Sequence, residues 1–354
     1  MTDWIAWGAI DGAMTKTRQM LFEPFDLTKW IKLAIILFFI GGIGGIGGGG
    51  SNFNSNPSGS NFGDFGDSPS DAELDAFVKT TVSGVSAFVD QYMAYIVLAV
   101  LAILLVIVLF SYISNVMKFV FVESVVRNQV TIRAYIRNNL GNGLRLFILN
   151  WTLGIAFLTA IIISLLPALS AIPDGDISAV FFGSLPTFFL VLVLGVIILS
   201  ILDSFINLAI PVMLYENVGV LKALSKVTST AAHSISQVLV YWIIRGVLGI
   251  ILGIAAAVIS LIVILIAGLV LLLIGIVVYM ILTLLGFGFT DPVTLIVLGS
   301  LLIASFLVLI FLILLATVPL PVFGKYHALL FLRNWYADIM PFWEPVTEPV
   351  PEPE

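Results

Sequence analysis

The chain has 354 residues, of which 60% are apolar and only 10% are charged, and its net charge is −6. About a quarter of the residues of a soluble domain are charged, so this composition excludes an ordinary water-soluble protein. The sequence contains no cysteine, which excludes thiol catalysis, thiolate metal sites and disulfide bonds. The net negative charge comes largely from one loop and from the tail, and it gives no reason to expect nucleic acid as a partner.

Apolar segments long enough to cross a bilayer recur along the chain. A run of roughly 18 or more apolar residues spans the hydrocarbon core, and a helix satisfies the backbone hydrogen bonds of such a segment internally. The sequence therefore predicts an all-α protein, a polytopic bundle of transmembrane helices. The predicted spans lie within residues 30–47, 92–114, 146–166, 187–210, 238–285 and 293–318.

The block 238–285, whose only charged residue is Arg245, leaves the number of spans open. A continuous helix of this length would measure about 70 Å, twice what one crossing needs. Two crossings with a turn near Ser260 would give seven spans, whereas one crossing with a re-entrant or surface-lying piece would give six. The distribution of basic residues favours six, and we predict about six spans with seven as the alternative.

Basic residues in the short loops indicate the orientation of the chain, because they accumulate on the cytoplasmic side of membrane proteins. Basic residues precede the first span, lie between the second and third spans, and follow the fourth. The charged residues of 48–91 and 167–186, by contrast, are almost all acidic. The sequence predicts a multi-pass protein of the cell membrane with a cytoplasmic N-terminus and loop 48–91 outside.

The organisation along the chain follows from these spans. Residues 1–29 form a predicted cytoplasmic interfacial segment, and residues 30–343 form the transmembrane helix bundle. The bundle includes a low-complexity outer loop at 48–73, and the tail 344–354 alternates acidic residues with prolines, which predicts a disordered segment.

Amphipathic segments beside the spans predict helices that lie on the membrane surface. Apolar residues recur at helical spacing in 4–22 and 74–92. Two further segments follow proline-marked exits from the bilayer, the first after a bend at Pro211 and the second after Pro319 and Pro321. The second exit places Tyr326, Leu329 and Leu332 on one surface-lying face. We expect the two segments after these exits, with FEPF (22–25) at the entry to the first span, to form a cytoplasmic collar of interfacial helices, whereas 74–92 lies on the outer surface.

Polar residues within the spans are the best candidates for a functional site, because an unpaired charge in the bilayer costs a few kcal/mol. Asp203 lies inside the fourth span, and Asn207 follows one turn later on the same face. Arg245 lies near the start of the next apolar block. A pair of Asp203 with Arg245 would neutralise both charges. We favour a structural link between two helices, and a proton or ion relay is the functional alternative.

The glycine-rich end of the first span contains the pattern G-x-G-x-x-G at residues 42–47. A dinucleotide loop requires a strand before it and a helix after it, whereas this stretch follows an apolar run and precedes a Ser/Asn-rich loop. We therefore expect no cofactor here. Gly41, Gly45 and Gly49 instead form a small-residue stripe that would allow close approach of another helix.

Motifs for catalysis and for metal binding are missing from the sequence. His233 and His327 are far apart, and neither belongs to a metal-binding arrangement. No nucleophile elbow and no phosphate-binding loop occurs. Glu123 and Arg127 are spaced i, i+4, which predicts a pair on a helix surface.

Three stretches carry a resemblance to known families: FEPFDLTKWIKLAII (22–36), AIPVMLYENVGVLKALSKV (209–227) and VPLPVFGKYHALLFL (318–332). Together they resemble an uncharacterised archaeal polytopic membrane-protein family. The residues Pro211, Glu216, Gly219, Ala223 and Leu224 are also distantly similar to the membrane domain attached to some glycerophosphodiester phosphodiesterases. The resemblance implies a six-helix architecture, and no catalytic residue is carried over.

These observations favour a non-enzymatic membrane scaffold or accessory subunit that organises lipids or partner membrane proteins. The alternative is a transporter or channel for a small solute or lipid, with Asp203, Asn207 and Arg245 lining its path. Membrane lipids, and possible membrane-protein partners, are the expected partners.

Overall fold

The computed structural model describes residues 4–41, 71–170 and 177–336, with side chains described at 4–41, 91–166 and 185–336. The described backbone is helical, with no β-strand element, which confirms the all-α prediction. In chain order the helices are α1 (Ile5–Leu21), α2 (Leu27–Ile40), α3 (Asp71–Arg127), α4 (Ile132–Ser170), α5 (Ile177–Glu216), α6 (Val220–His233), α7 (Ile235–Leu284), α8 (Pro292–Thr317) and α9 (Pro319–Trp335).

Five of the described helices are long and apolar enough to cross a membrane: Gln91–Arg127, Ile132–Leu166, Leu185–Glu216, Ile235–Leu284 and Pro292–Thr317. They contain the predicted spans from the second to the last. Most of the first predicted span lies in α2, but the segment beyond Gly41 lies outside the described residues. The outer loop 48–73 is largely outside them as well, as is the tail 344–354.

The apolar block 238–285 forms one continuous helix, α7, of 50 residues. The turn near Ser260, which seven spans would require, is not there. Hydropathy alone could not decide this point, because a continuous helix and a hairpin of two helices have the same apolar composition. At about 1.5 Å per residue, α7 is roughly 75 Å long, more than one crossing needs.

Two compact units make up the chain. One comprises Asn52–Tyr112, and its described side chains lie in the exposed apolar part of α3. The other comprises Met1–Ser51 together with Ile113–Glu354.

The larger unit has a packed core, which we call the helix junction: helices α1, α6 and α9 with the adjoining ends of α2, α3, α4, α5 and α7. Away from it, the apolar side chains of α4, α5, α7 and α8 are mostly exposed. In a membrane protein this surface faces lipid or other helices. The largest fully buried side chains of the helix junction are Met20, Leu21, Leu33, Ile36, Phe119, Leu146, Leu208, Ile210, Met213, Tyr241, Phe331 and Leu332.

Helix α1 packs along α9 through its smallest residues. Ala6, Ala9 and Ala13 are buried, so the two backbones approach closely. Two large side chains lie on the opposite face, where Trp7 is 69% exposed and Met14 is 67% exposed. The helix buries its alanine face against protein and leaves Trp7 exposed, and its predicted position at the membrane surface stays a prediction.

Helix α9 is an internal element. Tyr326, Leu329 and Leu332, which the sequence predicts on a surface-lying face, are at most 3% exposed inside the helix junction. The predicted break is confirmed, because α8 ends at Thr317 and α9 begins at Pro319. Helix α5 continues through Pro211 to Glu216.

The predicted surface helix 74–92 is the N-terminal part of α3, continuous with the second span. Most side chains of this segment are not among those that the structure describes, so their amphipathic arrangement stays a prediction.

Gly41 ends a helix. It follows the last residue of α2 with a φ of 154°, a backbone conformation that residues with a side chain rarely adopt. At the other end of α2, the carboxylate of Asp26 accepts a hydrogen bond of 2.8 Å from the backbone N–H of Thr28. Gly45 and Gly49 lie outside the described residues, so the predicted packing stripe stays a prediction.

Candidate functional site

Asp203 and Asn207 form a local pair on α5, as their spacing predicts. The Asn207 Nδ2 donates to the carboxylate Oδ2 and to the backbone carbonyl of Asp203, each at 2.9 Å. Both side chains are half-buried. The adjacent Ser204 is buried, and its Oγ accepts a hydrogen bond of 3.0 Å from Trp242 Nε1 of α7. This bond joins α5 to α7 beside Asp203.

Arg245 lies near this pair without bonding to it. Its guanidinium donates a hydrogen bond of 2.8 Å to the hydroxyl of Tyr241, one turn earlier on α7. The charges of Arg245 and Asp203 interact, but among the described residues they make no ion pair within 4.0 Å. Arg245 and Asp203 therefore interact at a distance, and they do not form a direct ion pair that would link α5 to α7.

Tyr241 is the centre of an aromatic stack between α7 and α9. Its ring is fully buried, and its centroid lies 4.2 Å from that of Phe331 and 6.0 Å from that of His327, with interplanar angles of 15° and 7°. Trp335 extends the stack at 5.5 Å from Phe331. Stacked aromatic rings stabilise a core beyond their burial.

His327 continues this contact to α1. Its Nε2 lies 3.0 Å from the backbone carbonyl oxygen of Ala6, so Nε2 carries the proton and donates it. Burial lowers the pKa of His327, which favours the neutral ring. His327 is thus a structural bridge from α9 to α1. No group of three or more His, Cys, Asp or Glu residues that could hold a metal ion occurs among the residues the structure describes.

The candidate site also includes two lysines, which the sequence analysis did not assign to it. Lys118 of α3 and Lys325 of α9 both interact electrostatically with Asp203. Burial, together with smaller contributions from the positive charges of Arg245 and Lys118, lowers the pKa of Lys325 to about 7. The convergence of these lysines on Asp203 depends on helix packing that no local pattern in the sequence reveals.

Glu216, one of the residues similar to the membrane domain of glycerophosphodiester phosphodiesterases, has a structural role. At the end of α5 its carboxylate forms an ion pair with Lys226 of α6 and accepts a hydrogen bond of 2.7 Å from the hydroxyl of Tyr336, which follows α9. Asn217 takes a positive φ of 52°, and Gly219 precedes α6, so the chain reverses here. These motif residues connect three helices and form no catalytic arrangement.

The predicted pair of Glu123 and Arg127 is confirmed, with an N–O distance of 3.1 Å. Glu123 is largely buried and also accepts a hydrogen bond of 2.9 Å from Asn139 Nδ2 of α4. The pair therefore fixes α3 to α4 in addition to stabilising the surface of one helix.

The arrangement at the site is a group of polar and charged side chains held between apolar helices. No curated protein and no solved structure matches the chain. A family model described as "Family of unknown function (DUF7544)" matches residues 4–341, and the chain therefore belongs to that family.

Proposed function

We propose that the protein is a multi-span membrane scaffold or accessory subunit that organises lipids or partner membrane proteins, without a catalytic activity of its own. The observation that carries the proposal is the contrast between a densely packed helix junction and long apolar helices whose side chains remain exposed. Such helices offer surface to lipid chains and to helices of other proteins.

We further propose about six spans, with the helix junction on the cytoplasmic side and loop 48–91 outside. The five long apolar helices together with α2 account for six crossings. Basic residues near the junction, including Arg127, Arg133, Lys222 and Arg333, support this orientation. The exposed Trp7 of α1 and the exposed Trp4 just before this helix fit a position at the membrane interface. An archaeal origin and a distant relation to the membrane domain of glycerophosphodiester phosphodiesterases remain proposals on the resemblance alone.

A transporter or channel is the second candidate, because charged and polar side chains of four helices meet around Asp203. In transporters, polar groups of this kind line the substrate path. The two functions differ in whether solute crosses the membrane through the protein.

Purified protein reconstituted in liposomes tests the choice. We expect no solute flux above that of empty liposomes. In native membranes, a photo-crosslinking side chain at exposed Leu265 of α7 should form adducts with lipid or with one defined membrane protein. The same group at buried Val322 is the control and should form neither. Solute flux that disappears in Asp203→Asn, together with no specific adduct at Leu265, would contradict the scaffold function and favour the transporter function.

A further inference from the structure

Three cations interact electrostatically with one carboxylate inside the larger unit. Lys118, Arg245 and Lys325 belong to α3, α7 and α9, and the charges of all three interact with Asp203 of α5. The cations also act on one another, because Arg245 and Lys118 both interact with Lys325. We call these four residues the cationic cluster. With its side chains ionised, the cluster carries an excess of positive charge.

Separate contacts fix the helices that carry the cluster. The Ser204–Trp242 hydrogen bond joins α5 to α7, and the stack of Tyr241 on Phe331 joins α7 to α9. The hydroxyl of Tyr326, next to Lys325, donates a hydrogen bond of 3.0 Å to the backbone carbonyl of Val125 in α3. The convergence of the charges is therefore set by packed and hydrogen-bonded neighbours.

The cations have hydrogen-bonding capacity that the described chain does not use. Neither the Lys118 nor the Lys325 ammonium group donates a hydrogen bond to a described residue, and Arg245 donates only to Tyr241. The Asp203 carboxylate accepts from Asn207 and forms no direct ion pair with a cation. All three cations are half-buried, so water screens them incompletely.

We propose that the cationic cluster binds a phosphate group, carried either by an anionic phospholipid or by free inorganic phosphate. Phosphate offers several acceptor oxygens around one centre, which suits an arginine fork and two ammonium groups approaching from different helices. Basic pockets between membrane helices bind phospholipid head groups in the same way. The lipid source rests on the lipid-organising role proposed above, whereas binding of free phosphate stands without it.

Lys325 gives the site a pH dependence. Lys118 of α3, Asp203 of α5 and Arg245 of α7 are the charged groups that act on it, and burial is the main cause of its lowered pKa of about 7. Protonation below this value adds a cation to the cluster. The phosphate diester of phosphatidylglycerol keeps one negative charge between about pH 6 and pH 8.5, so a change in its binding over this range reports on the protein.

The test uses the full chain in detergent micelles with fluorescent phosphatidylglycerol, and in neutral phosphatidylcholine nanodiscs with inorganic phosphate. The preferred probe is whichever of phosphatidylglycerol and inorganic phosphate the wild type binds more tightly. We expect Lys325→Met to weaken its binding at least about tenfold, because one charge-assisted hydrogen bond is lost. Lys222→Met removes the same charge from the exposed face of α6 and should leave binding unchanged. Wild-type affinity for phosphatidylglycerol should fall about tenfold from pH 6 to pH 8.5, and Lys325→Met should remove this dependence.

The thermal unfolding midpoint of each variant without added phosphate establishes that it is folded. Lys325→Met should match or exceed the wild type, because it removes an unpaired, half-buried charge. Saturable binding of inorganic phosphate that needs Lys325, without binding of phosphatidylglycerol, would keep the site and count against the lipid-organising role. A folded Lys325→Met variant that binds both probes as the wild type does, or a wild type that binds neither, overturns the proposal.

Discussion

Replacing Tyr241 by alanine should destabilise the protein by about 3–5 kcal/mol, the cost of emptying a large aromatic site in a packed core. The Tyr241 side chain is fully buried, stacks on Phe331 and His327, and accepts the hydrogen bond of Arg245. The substitution would leave a cavity between α7 and α9 and a cation without its partner. Thermal unfolding in detergent, followed by tryptophan fluorescence, measures the loss.

Two further variants separate the contributions at this position. Tyr241→Phe keeps the stack and removes the hydroxyl, so it should cost only about 1–3 kcal/mol, the range for a charged donor left without its partner. Tyr95→Ala, at an exposed position of α3, is the control and should change stability little. An unfolding midpoint for Tyr241→Ala equal to that of the control would contradict the central role of the stack.

Replacing Gly143 by alanine should destabilise the protein by about 1–3 kcal/mol or more through overpacking. Gly143 of α4 is buried against α3, where a Cβ atom would overlap the side chain of Val116 and lie 2.9 Å from its Cα. The backbone of Val116 cannot rotate away as a long side chain could, so the two helices must separate.

Gly141→Ala is the matched control, two residues away on the same helix. Gly141 is exposed, and no atom lies within 4 Å of the Cβ that the substitution adds. Alanine favours a helix over glycine by up to about 1 kcal/mol, so this variant should be as stable as the wild type or more stable. Equal destabilisation by both substitutions would mean that α3 and α4 do not approach closely at Gly143.

Features that depend on composition and local spacing could be predicted from the sequence. The apolar runs predicted the all-α class and the position of the long helices. The i, i+4 spacing predicted the pair of Glu123 and Arg127, which forms. The prolines predicted the break before α9, where a helix starts easily at Pro319. The expected membership of an uncharacterised family is confirmed as well.

Features that depend on which helices become neighbours could not be predicted in this way. His327, Phe331 and Trp335 recur every four residues, which marks a helical face, but nothing local identifies Tyr241 as the ring that stacks on that face. The pairing of Arg245 with Asp203 was a hypothesis about complementary charges, whereas the structure gives Arg245 a nearer partner on its own helix.

Glycines illustrate the same limit. The visible stripe at Gly41, Gly45 and Gly49 drew the prediction of close packing, yet Gly41 terminates α2. One close approach that the structure describes involves Gly143, which stands in a polar stretch of α4 with no small residue four positions away on either side. A required glycine can be recognised only when the neighbouring helix is known.

The location of the helix junction on the cytoplasmic side of the membrane is the central claim about the topology of the protein, and labelling of single cysteines tests it most directly. The chain has no cysteine of its own, so each introduced thiol is unique. Ser229→Cys lies on the exposed face of α6, and Thr290→Cys lies in the turn between α7 and α8. In intact cells, a membrane-impermeant maleimide should label Thr290→Cys, and it should label Ser229→Cys only after permeabilisation. Labelling of both positions from the same side would contradict the account.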